Sequence, residues 1–157
     1  RYAEGRLFTE EDMLKKYGDI PVYAFNFVDY ILWKNREELG RKYKGVKFDH
    51  FKFAYRRSIE HWFPQHPNSD EKIEKMDDQF LHSFGNLCII TDSQNSKFGN
   101  LVPSAKYKQW EGIFDRQSLK LQIMANITEK TKWESYQIKG LEKEILPMVK
   151  RFIESKS

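Results

Sequence analysis

Two short stretches of the chain contain the residue types that phosphodiester hydrolysis needs. The first reads Ser-Ile-Glu-His-Trp-Phe-Pro-Gln and sets Glu60 directly before His61. The second reads Gly-Asn-Leu-Cys-Ile-Ile-Thr-Asp-Ser-Gln-Asn and contains Asn86 and Asn95. A neutral imidazole can take a proton from an attacking water, and one hard cation can neutralise the phosphate and assist the departing oxygen. The two stretches together predict a site for one divalent cation and a phosphodiester.

The order of the residues suggests a separate chemical role for each side chain. Neighbouring side chains of an extended strand point to opposite faces, so Glu60 can bind the cation while His61 faces the water. Mg²⁺ keeps several waters and needs few protein oxygens, and Asn95 supplies a second ligand from a packed helix. Taken alone, a Glu-His pair is also typical of a hydrogen-bonded surface pair, and a lone asparagine is typical of an ordinary helix start. The two stretches are informative only in combination.

The local signals predict a strand, a second strand and a helix around this site. Residues 56–61 are predicted to form the first strand, which Pro64 ends because proline cannot donate to a ladder. A turn at Gly85-Asn86 leads into a short apolar strand over residues 87–90. Asp92 or Ser93 can cap the next helix, which carries Asn95 in its first turn.

The rest of the chain is predicted to be mainly helical. Thr9 followed by Asp12 is a helix-start pattern, and Pro21 suits the first turn of a longer helix. Residues 46–53 form a short strand or an extended approach to one, and residues 70–82 show helical spacing. Pro147 kinks or divides the last helix. The predicted fold class is α+β, mainly helical, around a small ββα-metal core of a two-stranded hairpin plus a helix.

One domain over residues 1–157 accommodates these elements. It consists of a helical N-terminal packing region (1–53), the ββα-metal core (54–100) and C-terminal helices (101–157). We expect it to be the C-terminal part of a longer protein.

The composition limits the classes of function. Hydrophobic residues make up 39% and charged residues 32%, as in a water-exposed domain with a core. No run approaches ~18 consecutive apolar residues, so no membrane span is predicted. The single cysteine, Cys88, excludes an internal disulfide and a cysteine-cage zinc site, and it agrees with a reducing, cytoplasmic setting. The net charge of +4 favours a polyanionic partner.

The motifs resemble the HNH branch of the His-Me-finger (ββα-metal) nucleases. The segment Glu-His-Trp-Phe-Pro matches the first part of that pattern, Asn-Leu the second, and Asn-Ser-Lys the third, with Asn86 and Asn95 nine positions apart (95 − 86). The closer similarity is to the C-terminal nuclease domains of GmrSD-type restriction enzymes. In those domains an I-E-H-x-x-P-Q strand precedes a G-N-L-x-x-x-T-x-x-x-N-S segment.

The resemblance implies a role for each matching residue. His61 is the general base, Glu60 and Asn95 bind Mg²⁺ or Mn²⁺, and Asn86 braces the loop that orients His61 through backbone hydrogen bonds. No structural zinc is expected, because this chain lacks the paired cysteines of the family's zinc-binding members. The positions expected to contact phosphate groups are Lys97, Arg56 and Arg57, one of the two arginines facing away. The other histidines have no motif position, and His82 is expected to pack as a helix-end residue on the second strand.

The resemblance also implies the biological setting. It indicates a DNA endonuclease domain of a restriction or anti-phage defence protein, with RNA left open as a substrate. A covalently linked N-terminal nucleotide-hydrolysing domain, absent from this sequence, would supply recognition or gating. Double-strand cutting by a single-site nuclease favours a homodimer. The alternative is a catalytically inactive nucleic-acid-binding or protein-interaction module with the same fold.

Overall fold

A computed structural model describes residues 8–68 and 74–155. In these residues eight α-helices pack around one sheet of two strands. The helices are α1 (Glu10–Met13), α2 (Val22–Lys34), α3 (Arg36–Lys42), α4 (Asp78–Leu81), α5 (Asp92–Phe98), α6 (Pro103–Trp110), α7 (Leu119–Lys130) and α8 (Ser135–Ser155). The strands are β1 (Ser58–His61) and β2 (Leu87–Ile90). The predicted α+β class, mainly helical with a minimal β-element, is confirmed.

The two strands pair antiparallel in a single register. Glu60 lies opposite Cys88, and His61 lies opposite Leu87. Every residue of β2 is buried, because α2 and α7 pack against this strand. A strand covered on both faces has an unbroken apolar sequence rather than an alternating one, as this strand does. The buried second strand holds the end of β1 in a fixed position.

The N-terminal region begins as its sequence predicts. The Thr9 hydroxyl accepts a hydrogen bond from the Asp12 backbone N–H at 3.3 Å, and the Asp12 carboxylate accepts one from the Thr9 N–H at 2.8 Å. This reciprocal pair satisfies two helix-end donors. Pro21 then precedes α2, which packs against α7 and α8. The helical packing region is therefore joined to the C-terminal helices.

Three local predictions need correction. Residues 46–53 contain no strand but a 3₁₀ turn at Phe48–His50. The predicted helix over residues 70–82 is reduced to α4, and residues 69–73 lie outside the described part of the chain. The cap of α5 is Thr91 rather than Asp92 or Ser93, since its hydroxyl accepts from the Gln94 N–H at 3.3 Å.

The turn before β2 packs directly on α8. A 3₁₀ turn at Phe84–Asn86 leads into the strand, and the Gly85 N–H donates to the Glu142 carboxylate at 2.7 Å. A Cβ at Gly85 would lie 2.3 Å from the Ile138 carbonyl oxygen, so only glycine allows this approach. Helix α8 runs through Pro147 without division. No helix in the described ranges is both long enough and apolar enough to cross a membrane.

Candidate active site

Strand β1 ends with two buried ionisable side chains. Glu60 is 5% exposed and His61 is 6% exposed. Glu60 contacts Lys106 of α6, whereas His61 contacts His82, which directly follows α4. Successive residues of a strand point to opposite faces, and here each face has a different helix against it. The structure thus places the two predicted site residues side by side with separate partners.

The His61 ring is enclosed by two other rings. Its Nε2 lies 3.1 Å from Nδ1 of His82, and the Tyr17 ring meets it edge-on at 4.5 Å between centroids. Burial, with smaller effects of His82 and Lys106, lowers the pKa of His61 to about 4. At pH 7 the imidazole is therefore neutral, which is the state that a general base requires.

The carboxylate of Glu60 lies against a buried lysine. Lys106 Nζ is 2.6 Å from Glu60 Oε2 and donates to the carbonyl oxygens of His61 and Trp62, both at 2.8 Å. Burial raises the pKa of Glu60, and the Lys106 charge opposes that rise. Burial likewise lowers the pKa of Lys106 while Glu60 opposes it. Each charge compensates the other, as a buried pair requires.

The side chain of Asn86 connects the loop after His61 to neighbouring segments. Its Oδ1 accepts from the Phe63 N–H and from the Trp133 indole N–H, both at 2.9 Å. Its Nδ2 donates to the carbonyl oxygens of Phe63 at 3.0 Å and Leu81 at 2.9 Å. All four hydrogen-bonding positions of the amide are used. Asn86 is fully buried, and its side chain binds the backbone of Phe63, two residues after His61.

Helix α5 is tied to β1 at its first residue. The Asp92 carboxylate accepts hydrogen bonds from the Ser58 hydroxyl and the Arg57 guanidinium, and α5 packs against β1. Asn95 lies half-buried in this helix. Among the described residues no hydrogen-bond partner is found for its amide group, so its oxygen is available to a ligand.

The donor set fits a hard cation that keeps most of its water. Glu60 Oε2 is buried, and its partner among the described residues is the Lys106 ammonium at 2.6 Å. Carboxylate and amide oxygens are the ligands that Mg²⁺ prefers, often only one or two of them. In the described part of the chain no group of three or more His, Cys, Asp or Glu side chains is placed to hold a metal. Glu60 on β1 and Asn95 on α5, a helix that packs against this strand, are the two predicted oxygen donors.

The predicted phosphate contacts separate into buried and exposed residues. Arg56 is only 7% exposed; its guanidinium donates to the Arg116 carbonyl at 3.2 Å and lies 4.0 Å from the Asp29 carboxylate. Arg56 is therefore a structural residue in this fold, and its assignment to nucleic acid is corrected. Arg57 is 75% exposed and paired with Asp92. Lys97 is exposed, with its ammonium 5.8 Å from the centre of the Trp110 ring.

One cavity lies away from Glu60 and His61. It has a volume of about 660 Å³ and extends between Phe63, Pro103 and Trp133. A smaller cavity of about 200 Å³ borders the loop after β1 and includes His82. Because Glu60 and His61 are both buried, the site at the end of β1 is an enclosed group of side chains rather than an open cleft.

Sequence reasoning missed three residues of the site. His82, expected as a helix-end residue, is the C-cap of α4, and its ring contacts His61. Lys106 and Tyr17 come from a helix and a loop with no motif position. The sequence contained one signal for Lys106. This residue lies four residues after Val102 and four before Trp110, and this spacing puts the lysine on the apolar side of its helix.

The fold and site define a small α+β domain in which a strand pair and a short helix carry an acid, a histidine and an asparagine, with a second asparagine buried in the turn before β2. The chain belongs to the family of C-terminal domains of GmrSD restriction endonucleases, whose family model matches residues 9–147. Neither the curated proteins nor the solved structures give a match. The suspected GmrSD-type membership is confirmed.

Proposed function

We propose that this chain is a metal-dependent DNA endonuclease domain with His61 as its general base. The observation that carries the proposal is the placement of the buried His61 beside Glu60 at the end of β1. Membership in a family of restriction endonuclease domains supports it. The reaction is hydrolysis of a phosphodiester by direct attack of water, without a covalent intermediate.

Each residue has a distinct task in this proposal. His61 accepts the proton of the attacking water, and Asn86 holds the backbone that carries His61. Glu60 and Asn95 would hold Mg²⁺ or Mn²⁺. When bound, the cation supplies charge neutralisation at the phosphate and assistance to the departing oxygen.

The substrate is foreign DNA in a restriction system, and the two exposed cations near the site would contact its phosphates. Arg57 directly precedes β1 and Lys97 lies on α5, and these two elements carry the proposed oxygen donors. A linked nucleotide-hydrolysing domain would supply recognition. Cutting both strands of a duplex would need two copies acting together, because each domain offers one site.

Nicking of supercoiled plasmid in the presence of Mg²⁺ or Mn²⁺ tests the activity. We expect the parent to nick and His61→Ala to lose about 10²-fold or more, the contribution of a positioned general base. His50→Ala is the matched control, because His50 is exposed in the 3₁₀ turn at Phe48–His50. A parent without activity in any metal or salt condition contradicts the proposal, as does equal nicking by His61→Ala.

The ligand assignment has its own test. Asn95→Ala should raise the metal concentration needed for half-maximal nicking while the fold is retained, because Asn95 lies half-buried on a solvent-facing helix. Circular dichroism checks the fold. Unchanged metal dependence would remove Asn95 from the ligand set.

A second candidate function is an inactive nucleic-acid-binding or protein-interaction module with the same fold. The observation that favours it is the pairing of Glu60 with Lys106, which already compensates the carboxylate. Binding of labelled DNA by a parent that never nicks would support this candidate.

A further inference from the structure

We propose that Lys106 is a positioning residue of the metal site, whose charge sets how tightly Glu60 binds a divalent cation. The inference rests on the proposed function, since it takes Glu60 as a metal ligand. Lys106 touches neither substrate nor water in this role; it acts through Glu60.

Lys106 is fixed in place by its surroundings. The side chain is 0% exposed, and its ammonium lies on two successive carbonyl oxygens, those of His61 and Trp62. The aromatic rings of Trp62 and Phe98 lie 5.3 and 5.4 Å from the same ammonium. An ammonium held by two carbonyls inside the core cannot swing into solvent when a second cation approaches.

The charge of Lys106 therefore acts on whatever cation Glu60 binds. Its Nζ lies 2.6 Å from Glu60 Oε2, and the interior screens charges less than water does. A divalent cation on the same carboxylate is repelled by the ammonium, so its affinity falls. The same ammonium keeps the empty site charge-compensated, and this allows Glu60 to remain buried without metal.

A second buried lysine provides a comparison within the chain. Lys120 of α7 is also buried, and it donates to the carbonyl oxygens of Phe84 at 2.9 Å and Leu87 at 2.5 Å. No ion pair within the described residues includes it. Lys120 thus braces the main chain as Lys106 does, but it does not contact Glu60. An effect on metal affinity that comes only from removing a buried charge or a brace should therefore appear in variants of both lysines.

The experiment compares Lys106→Met with Lys120→Met. Mn²⁺ binding to the protein without DNA is measured by the electron paramagnetic resonance signal of free Mn²⁺, and folding is followed by thermal unfolding. We expect Lys106→Met to lower the Kd for Mn²⁺ by about tenfold or more, because a like charge beside a divalent cation is removed. Lys120→Met should leave the Kd within about twofold. A purely structural role would weaken Mn²⁺ binding or leave it unchanged.

Two further arms keep the result decisive. Lys106→Gln retains an amide donor for the carbonyls without the charge, and the same tightening is expected if Lys106→Met does not fold. In the parent, ¹³Cε-labelled lysine should show a larger Mg²⁺-induced shift at Lys106 than at Lys120. Equal Kd changes in both lysine variants, a weaker Kd in a folded Lys106 variant, or equal shifts in the parent overturn the inference.

Plasmid nicking separates this inference from the proposed function. A parent that nicks while Lys106→Met binds Mn²⁺ no more tightly contradicts the role of Lys106 alone. A parent that neither nicks nor binds Mn²⁺, with variants that also bind none, contradicts both. Tighter Mn²⁺ binding by Lys106→Met in a chain that never nicks supports the role of Lys106 and contradicts the nuclease.

Discussion

His61 Nε2 lies 3.1 Å from His82 Nδ1, so one hydrogen bond joins two histidines that are 21 residues apart in the chain. One ring must donate and the other accept. If His61 donates through Nε2–H, its Nδ1 has no proton and is the acceptor for water. The contact thus relates the position of His82 to the protonation pattern of the proposed general base.

The first prediction concerns this contact. His82→Ala should lower the single-turnover nicking rate by about tenfold to a hundredfold, since an unpaired His61 ring can rotate and change tautomer. His82→Asn, which keeps a polar group near the ring, should recover part of the loss. His66→Ala serves as the control, because His66 is exposed. A full rate in His82→Ala would exclude a positioning role for His82.

The second prediction concerns access to His61. The Tyr17 ring lies on the edge of the His61 ring, and the Tyr17 backbone N–H donates to the His82 carbonyl at 2.8 Å. Tyr17→Ala should increase the rate at which diethylpyrocarbonate modifies His61, by about threefold or more, as read by peptide mass spectrometry. Tyr136→Ala is the matched control variant, because Tyr136 is also a tyrosine but is 82% exposed. Equal rates in the parent and Tyr17→Ala would show that Tyr17 does not shield the imidazole.

The third prediction concerns the brace at Asn86. Asn86→Ala leaves four buried partners without their hydrogen bonds, among them the Phe63 N–H and the Trp133 indole N–H. Each unpaired buried group costs about 1–3 kcal/mol, so the free energy of unfolding should fall by at least about 3 kcal/mol. Urea denaturation measures the change, and Asn100→Ala, at an exposed position, should cost under about 0.5 kcal/mol. A small effect at Asn86 would contradict the bracing geometry.

The fourth prediction is a pH dependence of stability. Burial raises the pKa of Asp29 from an ordinary 3.8 to about 7, against the opposing effects of backbone N–H groups of α7 and the charges of Arg56 and Lys120. Between about pH 4 and pH 7 the folded state keeps a proton that the unfolded state loses. The contribution of Asp29 to stability is thus present at low pH and lost as pH rises to about 7.

Asp29→Asn removes this titration. The free energy of unfolding of the variant minus that of the parent should increase as pH rises from about 4 to 7 and then level off, by at most about 4 kcal/mol. The comparison uses the difference between variant and parent because His61 titrates in both proteins. Its lowered pKa makes the free energy of unfolding rise with pH over part of this range, opposite to the effect of Asp29. Asp49→Asn, at a 90% exposed carboxylate, is the surface control for the same substitution. A flat difference for Asp29→Asn would refute the raised pKa.

Local signals predicted the elements that carry the motif residues. The apolar run of residues 87–90 and the proline after β1 placed both strands, and the Thr9 pattern placed α1, because capping, turn chemistry and strand length depend on near neighbours. The helix predicted over residues 70–82 was mostly wrong in the described part, where only Asp78–Leu81 is helical. Helical spacing is a weak guide where tertiary packing decides the backbone.

The sequence by itself determined that Glu60 and His61 end a strand and that a buried strand lies beside it. That arrangement depends on residues that are adjacent in the chain or paired in one sheet. Only the tertiary structure decided their partners. Lys106 reaches the His61 carbonyl from 45 positions away, and His82 and Tyr17 reach the His61 ring from separate segments. A buried charge must be compensated by whichever group the packed helices bring near, and spacing along the chain does not specify that distance.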